Sequence, residues 1–316
     1  MRAAVIENRA LTVVERADPI PGTGELLVRV RAAGLNNADQ MQILGGYPAP
    51  PGSPSDIPGL ELAGEVVGVG PNTFRFKVGD RIMAVVGGGA MAELCVMHER
   101  TVIAVPDTMG WEAAGAFPEA FTTAHDALVT QCAMVSGERV CVHGAAGGVG
   151  MAGVQIAAAF GATVVATVRN EALRPQVEAL APGAVRVVDP VDFGQHGPFD
   201  VVLELIGAGN LSENLRSLST GGRISVIGVS ASGAKGELDL LTLMQKRARI
   251  HGSTLRARPL EQKADAAARV ERSVLPHVIS GRIAVPIVAS FPLDHITAAY
   301  ERFAAGGKFG KIVVTP

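Results

Sequence analysis

A glycine-rich turn is the stretch of this sequence best suited to contact a phosphate group. An apolar run ends at His143, and the turn that follows has the spacing Ala145-x-Gly147-x-x-Gly150. Glycine has no Cβ, so backbone amides can approach a phosphate closely, and the dipole of a following helix favours its negative charge. The usual motif has glycine at all three positions, and only the first differs here. The turn predicts a dinucleotide site.

The residues around the turn show whether it is a dinucleotide site, because glycine-rich chains also produce such spacings by chance. An alanine-rich run, 151–160, follows the turn, and a second apolar run occupies 163–168. Strand, turn, helix and strand in this order form a βαβ unit with the phosphate loop in its required place. The alternative is a parallel sheet with a tight turn and no ligand.

The end of the second predicted strand indicates which dinucleotide binds. An NAD site has Asp or Glu there to accept the ribose hydroxyls, whereas an NADP site has cations near the 2′-phosphate. Val168 occupies the acidic position, and Arg169 and Arg174 are near it. Asn170 lies between the two arginines. The run therefore favours NADPH, while Glu171 either begins a surface helix or opposes the phosphate.

Composition and charge exclude several classes of protein. The chain has 316 residues, 48% of them hydrophobic, which is enough for two domains and a large core. Its formal net charge of −2, with scattered Lys and Arg, offers nucleic acid no basic patch, and no apolar run is long enough to span a bilayer. Residues 1–7 lack the apolar stretch of a signal peptide, which predicts a reducing, cytoplasmic setting. The three cysteines are widely spaced and form no Cys-x-x-Cys pair, so we expect core thiols and no zinc-ribbon lobe.

Two patterns divide the chain into domains. Up to about Met109, short strands punctuated by Gly and Pro predict a compact, largely β module, such as a partly open barrel, with strands at 26–30, 62–67, 81–86 and 92–96. The proline-rich run 45–54 must be a loop. From about Glu119 to Leu255, strands alternate with helices, which predicts a doubly wound parallel sheet with strands at 139–143, 163–168, 185–188, 200–205, 223–228 and 249–253. The remaining chain, with helices at 260–279 and 294–304 and strands at 286–291 and 311–314, should return to complete the first domain.

The order of several motifs resembles the medium-chain dehydrogenase/reductase superfamily across nearly the whole chain. These motifs are GLNNAD (34–39), PGLELAG (58–64), VGDR (78–81), the glycine turn and GKIV (310–313). The zinc-free quinone oxidoreductases are the more similar group, and FPEAFTTA (117–124) with GSTLR (252–256) most resembles their tumour-suppressor-inducible branch. The resemblance implies a GroES-like β-barrel catalytic domain, residues 1–120 and 256–316, and a Rossmann NADP-binding domain, residues 121–255. The nicotinamide is then expected in the cleft between them.

The resemblance also implies where a catalytic metal would be held. Where the zinc alcohol dehydrogenases of the superfamily have Cys, His and Cys, this sequence has Asn36, Leu60 and Glu119. Leucine cannot ligate, and one amide with one carboxylate is a poor zinc site, so we expect no metal. Without a Lewis acid an ordinary alcohol is difficult to oxidise. A quinone or an α,β-unsaturated carbonyl, which accepts hydride readily, is the better substrate.

Roles for individual residues follow from the same resemblance. Asn36 matches an asparagine near the nicotinamide and is expected to donate a hydrogen bond to the acceptor oxygen. Tyr47 matches an active-site tyrosine and is either a general acid or a packing residue. For Asp39 and Glu61 we favour structural hydrogen bonding. The residues expected to contact the cofactor are Thr123, Ala146, Gly147, Gly148, Val149, Arg169, Asn170, Arg174, Ile206, Gly228, Ser253 and Lys311.

Some of these assignments leave alternatives. Leu173 replaces a family lysine and Pro190 a family tyrosine, so the contacts to the 2′-phosphate stay open. Ile206, Gly228 and Ser253 are otherwise turn or strand-end residues. Lys311 is either near the pyrophosphate or a solvated lysine at the start of a strand.

The sequence thus predicts an NADPH-dependent, zinc-free reductase of small quinones or enones. By resemblance it is a homodimer that pairs through the edge of the Rossmann sheet, with 223–229 and the segment to 254 as candidate edge. One alternative is an enoyl reductase acting on a larger thioester. Another is a non-enzymatic structural or RNA-binding protein, as some relatives such as zeta-crystallin are, although the lack of a basic stripe counts against RNA. The natural acceptor and the number of electrons transferred per step stay open.

Overall fold

The computed structural model describes residues 1–229 and 231–316. Its strands are β1 (Arg2–Glu7), β2 (Ala10–Glu15), β3 (Glu25–Gly34), β4 (Glu61–Val69), β5 (Arg81–Val85), β6 (Leu94–His98), β7 (Val102–Ala104), β8 (Arg139–Val142), β9 (Thr163–Thr167), β10 (Val185–Val188), β11 (Phe199–Glu204), β12 (Leu218–Val226), β13 (Arg249–Gly252), β14 (Ile287–Pro292) and β15 (Lys311–Thr315). Its α-helices are α1 (Asn37–Ile43), α2 (Trp111–Gly115), α3 (Pro118–His125), α4 (Gly148–Ala159), α5 (Arg174–Glu178), α6 (Leu211–Arg216), α7 (Leu240–Lys246), α8 (Leu260–Ser273), α9 (Leu275–Ile279) and α10 (Ile296–Ala304). A π-helical segment, Asp126–Gln131, continues α3.

The six strands from β8 to β13 form a parallel sheet in the order β10-β9-β8-β11-β12-β13. This is the strand order of a Rossmann fold, in which strands are added outwards in opposite directions from the two central strands, β8 and β11. All six predicted strands are confirmed. Their ends lie within two residues of the predicted ones, except that β12 begins at Leu218 rather than 223.

The first domain contains the β1–β2 hairpin and a seven-stranded sheet in the order β14-β15-β3-β4-β5-β7, with β6 also paired to β3. Its neighbours are antiparallel except β14 and β15. The predicted GroES-like β module is confirmed. So is the return of the C-terminal tail, since Val313 of β15 pairs with Gly34 of β3. The strand predicted at 92–96 begins two residues later.

The helical stretch predicted at 260–279 is divided into two helices, so the prediction of one continuous helix is wrong. α8 ends at Ser273, and α9 carries Pro276 in its first turn. Proline lacks the N–H of a helical hydrogen bond and its ring clashes with the carbonyl four residues earlier, here that of Arg272. The prediction for the next helix started two residues early, because a 3₁₀ turn, Leu293–His295, precedes α10.

Helix α3 packs between the two sheets. The stacked rings of Phe117 and Phe121, 4.5 Å apart, belong to a buried cluster that includes Met83 of the first domain and Val140 of the Rossmann sheet. The boundary predicted between residues 120 and 121 therefore falls inside a helix that both domains share, and the boundaries stay a prediction. The three cysteines are buried free thiols, as expected. Among the described residues, no helix is long and apolar enough to cross a membrane.

Candidate functional site

The glycine turn connects β8 to α4 at the carboxyl end of the parallel sheet. Gly144 has φ +62°, a left-handed conformation that favours glycine, and a Cβ on Gly150 would lie 2.4 Å from the Gly144 carbonyl oxygen. Gly147 differs, because it has φ −80° and its Cβ would meet nothing closer than 3.4 Å. The turn itself requires Gly144 and Gly150. The space beside Gly147, by contrast, is not filled by the protein.

That space belongs to a cleft of about 350 Å³ between the two domains. The Rossmann domain contributes Ala146, Gly147, Gly148 and Val149 to its wall, and the first domain contributes residues that include Asn36 and Lys311. A volume of this size lies within the roughly 300–1,000 Å³ typical of small-molecule sites. The fold thus brings together six of the predicted site residues, although Asn36 and Lys311 stand near opposite ends of the sequence.

Lys311 is buried in this wall and is not the solvated lysine of the alternative interpretation. Its Nζ lies 2.7 Å from Glu61 Oε1, 2.7 Å from Asn36 Oδ1 and 2.9 Å from the Leu35 carbonyl oxygen. These partners use all three ammonium donors. Its side chain also passes beside Gly148, whose Cβ would lie 3.1 Å from Lys311 Cδ.

Asn36 is held at both ends of its amide. Its Nδ2 donates to Glu61 Oε1 at 2.9 Å and to the Gly34 carbonyl at 3.3 Å, while Oδ1 accepts from Lys311. Its backbone N–H donates to Asp39 Oδ2 at 2.8 Å, which closes the start of α1. The amide therefore orients the buried Glu61–Lys311 pair. To donate to an acceptor oxygen, as the resemblance implies, it must release one of these partners.

The pair includes one carboxyl group, Glu61, and two more, Asp39 and Glu119, lie near it in different environments. Glu61 is fully buried and accepts bonds from Asn36, Lys311 and the Glu119 backbone N–H, as expected for a structural residue. Burial raises the pKa of Asp39 to about 7. Burial and the nearby charge of Glu61 raise the pKa of Glu119 to about 8, so its carboxyl group is mostly protonated at neutral pH. In the sequence, Glu119 stood out only by its place among the zinc-ligand positions, and its raised pKa could not be predicted from it.

The zinc positions of the alcohol dehydrogenases do not form a ligand set here. Leu60 is buried, Asn36 binds Lys311, and Glu119 stands alone among the three as an ionisable group. Within residues 1–229 and 231–316, no group of three or more His, Cys, Asp or Glu side chains is arranged to hold a metal ion.

Tyr47 lies in the predicted loop and is held there by Arg256. The guanidinium carbon lies 5.1 Å from the centre of the Tyr47 ring, and Nη1 donates to the Tyr47 carbonyl at 3.0 Å. Nε donates to Gly87 O at 2.9 Å, and Nη2 donates to the side-chain oxygen of Gln42. Burial and Glu119 raise the pKa of Tyr47. Arg256 was missed as a site residue, although it ends the GSTLR motif that supported the resemblance.

The two arginines after β9 have different surroundings. Arg174 donates from Nη2 to Asp189 Oδ2 at 2.7 Å and from Nε to the Val168 carbonyl at 3.0 Å, so its charge is already neutralised. Arg169 is exposed and has no hydrogen-bond or ion-pair partner among the described residues. The Asn170 side chain accepts a bond from the Ala172 N–H and caps a 3₁₀ turn. Arg169 is therefore the cation that can meet a ligand at this strand end.

Of the remaining residues predicted to contact the cofactor, some lie beside the glycine turn, and one belongs to a separate ion-paired cluster. The Ile206 side chain lies 3.0 Å from where a Cβ of Gly144 would be, and a Cβ on Gly228 would lie 2.4 Å from the Leu205 carbonyl oxygen. Ser253 Oγ instead donates to Asp126 Oδ2 at 2.6 Å and accepts from Arg258. Thr123 is nearly buried on α3. Ile206 thus borders the glycine turn, whereas the Ser253 hydroxyl is occupied by an ion-paired cluster.

Comparison with known proteins agrees with this architecture. Residues 22–130 match the alcohol dehydrogenase GroES-like domain, and residues 148–271 match the zinc-binding dehydrogenase domain. The quinone oxidoreductase of Homo sapiens is 32% identical over 311 residues, which cover 94% of this chain and 91% of the human protein. Polyketide synthase GfsB of Streptomyces halstedii is 40% identical over 208 residues, or 65% of this chain and 4% of the synthase.

A solved structure extends the similarity to the whole fold. The quinone oxidoreductase of Thermus thermophilus, which was also solved in complex with NADPH, superimposes with a TM-score of 0.84 at 29% identity and with 100% of both chains covered. The finer assignment to the tumour-suppressor-inducible branch stays a prediction. The sequence, the fold and these similarities together establish that the chain belongs to the quinone oxidoreductase family of the medium-chain dehydrogenases/reductases and is an oxidoreductase.

Proposed function

We propose that this protein is an NADPH-dependent, metal-independent reductase of quinones and other α,β-unsaturated carbonyls. The observation that carries the proposal is the open space at Gly147, in a cleft whose other wall contains Asn36 and Lys311. A dinucleotide pyrophosphate fits there, because the backbone can be approached and α4 directs the positive end of its dipole towards it. The NADPH complex of the Thermus relative supports the choice of cofactor.

Each part of the site then has a separate task. The glycine turn binds the pyrophosphate and Arg169 the 2′-phosphate, and NADPH when bound supplies the hydride. We assign the accompanying proton to Tyr47 and Glu119, because burial raises the pKa of both groups and the Glu119 carboxyl group is mostly protonated at neutral pH. The other predicted cofactor contacts, Thr123, Ala146, Gly148, Val149, Asn170, Arg174, Ile206, Gly228, Ser253 and Lys311, are kept as part of this proposal.

Arg169→Ala is expected to weaken NADPH binding by roughly 10- to 100-fold, because a charge-assisted hydrogen bond contributes about 1.5–3 kcal/mol. Binding of NADH should change little. The measurement is kcat/KM with each cofactor at moderate salt. Because Arg174 already pairs with Asp189, Arg174→Ala should have the smaller effect on cofactor preference.

Equal losses with NADPH and NADH after Arg169→Ala, or no loss with either, would show that Arg169 does not select the phosphate. Arg186 is a matched control, because it is also an exposed arginine of the Rossmann domain but lies within β10. Arg186→Ala should leave both kcat/KM values unchanged.

Activity is expected to be unaffected by chelators and by added zinc. The reason is the set Asn36, Leu60 and Glu119 at the positions that hold zinc in the alcohol dehydrogenases. The measurement is activity after exhaustive treatment with EDTA, together with metal analysis of the purified protein. Stoichiometric zinc whose removal abolishes activity would refute this expectation.

We also propose a homodimer formed along the edge of the Rossmann sheet. β12 lies between β11 and β13, so the candidate edge predicted at 223–229 is covered, and among the described strands β13 pairs with β12 alone. Beside it, α7 and the residues before it expose apolar side chains, namely Leu238, Leu240, Leu241 and Met244. Exposed apolar patches of this kind mark protein interfaces.

Sedimentation at micromolar concentration is expected to give twice the mass of the chain. The double variant Leu240→Glu with Met244→Glu should give the monomer, because it places two charges on one face of α7. Val191→Glu, at another exposed apolar residue, should leave the dimer intact. A wild-type protein that sediments as a monomer would exclude this interface. The cytoplasmic setting is likewise kept as a proposal, which the three free thiols support.

The overall proposal is tested by NADPH consumption with a panel of quinones and enones, with NADH as the comparison. Turnover of quinones or small enones is expected. The similarity to part of a polyketide synthase favours a second candidate, an enoyl-thioester reductase. An α,β-unsaturated acyl thioester in the panel distinguishes the two, since selective turnover of the thioester would support the second candidate. No turnover of any acceptor, despite tight binding of NADPH, would overturn both.

A further inference from the structure

A connected set of buried polar side chains lies beneath the glycine turn, and the mechanism above does not use it. His143 follows β8, Thr167 ends β9 and Glu204 ends β11, while Asn214 is on α6. All four are buried, and none was predicted as a site residue. We call these four side chains the relay.

The hydrogen bonds of the relay fix one another's direction. Asn214 donates from Nδ2 to Glu204 Oε2 at 2.7 Å, so its Oδ1, 2.7 Å from His143 Nε2, must accept a hydrogen bond from that nitrogen. His143 Nδ1 is then an acceptor, and the Thr167 hydroxyl, 3.1 Å away, donates a hydrogen bond to it. The oxygen of that hydroxyl in turn accepts from the Gly144 N–H at 3.3 Å. Burial lowers the pKa of His143, which agrees with a neutral ring that carries one proton.

Glu204 anchors the other end of the relay. Its Oε1 accepts the backbone N–H groups of Ile206, at 2.6 Å, and Gly207, at 2.9 Å. Its Oε2 accepts from Asn210 at 3.1 Å as well as from Asn214. A carboxylate offers only acceptors, and here each oxygen is met by donors, so the carboxylate fixes the loop that follows β11.

The relay therefore joins the two loops that follow β8 and β11, the central strands of the sheet. One end bonds to Gly144 of the glycine turn after β8, and the other bonds to the loop after β11. The Ile206 side chain also borders Gly144, since it lies 3.0 Å from where a Cβ of Gly144 would be. In open parallel sheets ligands bind outside the carboxyl ends of these two strands, so a change in the separation of the loops changes the shape of the cofactor site.

From this chain of hydrogen bonds between Gly144 and Ile206, we propose that Thr167, His143, Asn214 and Glu204 are positioning residues that preorganise the cofactor site. The inference rests on the proposed function in one respect, namely that the ligand of this site is NADP(H). The relay acts on the affinity for the cofactor and not on the acceptor, because its two ends are loops of the Rossmann domain. Preorganised loops lower the conformational cost of binding.

Thr167→Val is the sharpest test, because it keeps the shape of the side chain and removes only the hydroxyl that joins His143 to Gly144. The dissociation constant of NADPH, measured by fluorescence titration without acceptor, should rise roughly 3- to 10-fold, the effect of one or two hydrogen bonds. Thr167→Ser restores the hydroxyl and should bind as the wild type does. KM for the acceptor should not change.

Asn214→Leu interrupts the relay at its centre and touches neither loop. Its effect on the dissociation constant should not add to that of Thr167→Val in the double variant, because both changes break one chain. Gln155→Leu is the matched control. Gln155 is also a buried amide of the Rossmann domain, but it bonds to the backbone of Ala284. It should lower the thermal midpoint without weakening NADPH binding.

The outcomes separate this inference from the proposed function. If the wild-type protein binds neither NADPH nor NADH, the proposed function fails. If the wild type binds NADPH and Thr167→Val binds it equally well, the relay does not position the site. A Thr167→Ser variant as weak as Thr167→Val would also overturn the inference, because the hydroxyl would then not be the cause.

Discussion

Gly147→Val is expected to weaken NADPH binding by about 100-fold or more and to leave the Rossmann sheet folded. The backbone of Gly147 has φ −80°, which any residue can adopt, and a Cβ there meets no protein atom closer than 3.4 Å. A Cβ at this position therefore has room, and the branched side chain extends from it into the cleft in which we place the pyrophosphate. Losing one or two charge-assisted hydrogen bonds of about 1.5–3 kcal/mol each accounts for that factor.

The measurement pairs fluorescence titration of NADPH with the thermal midpoint, and Gly150→Ala is the contrasting variant. A Cβ on Gly150 lies 2.4 Å from the Gly144 carbonyl oxygen and 2.7 Å from the Ala145 Cα, so the backbone must shift. Gly150→Ala should lower the thermal midpoint, whereas Gly147→Val should not. Unchanged affinity for NADPH in Gly147→Val would remove the glycine turn from the proposed site.

Lys311→Met is expected to lower the free energy of unfolding by about 3–5 kcal/mol, the usual effect of removing one partner of a buried ion pair. Glu61 is fully buried and would lose the ammonium group that lies 2.7 Å away. Asn36 Oδ1 and the Leu35 carbonyl would lose a donor as well. The measurement is equilibrium unfolding in urea.

Two further variants distinguish the effect of losing the ion pair on stability from the effect of replacing a lysine side chain by methionine. Lys311→Met combined with Glu61→Gln should recover part of the lost stability, because no uncompensated charge is then buried. Lys77→Met, at an exposed lysine without an ion-pair partner among the described residues, should change the stability by less than about 0.5 kcal/mol. A loss in Lys311→Met no larger than in Lys77→Met would show that the buried pair contributes nothing.

The sequence by itself determined the features of this protein that are set by residues close together in the chain, namely its strands, turns and connections. The alternation of apolar runs, glycine turns and helical runs from 139 to 253 was sufficient to predict the six strands of the parallel sheet and their class of connection. The glycine spacing placed the turn between β8 and α4 for the same reason, because backbone conformation is decided by the few residues that form it. Val168 and Arg169 directly follow β9, so they could be compared with the residues that follow this strand in NAD and NADP sites.

Only the tertiary structure decided which side chains are free to act. Arg169 and Arg174 are equivalent in the sequence, but Asp189, brought alongside by the next strand of the sheet, neutralises Arg174 alone. The sequence allowed Lys311 to be a solvated residue at a strand start, but the pairing of β15 with β3 buries it against Glu61. The pKa of Glu119 is raised because its carboxyl group is shielded from solvent and that same carboxylate is near it. Burial and charge at these positions come from residues far away in the chain, so no local pattern contains them.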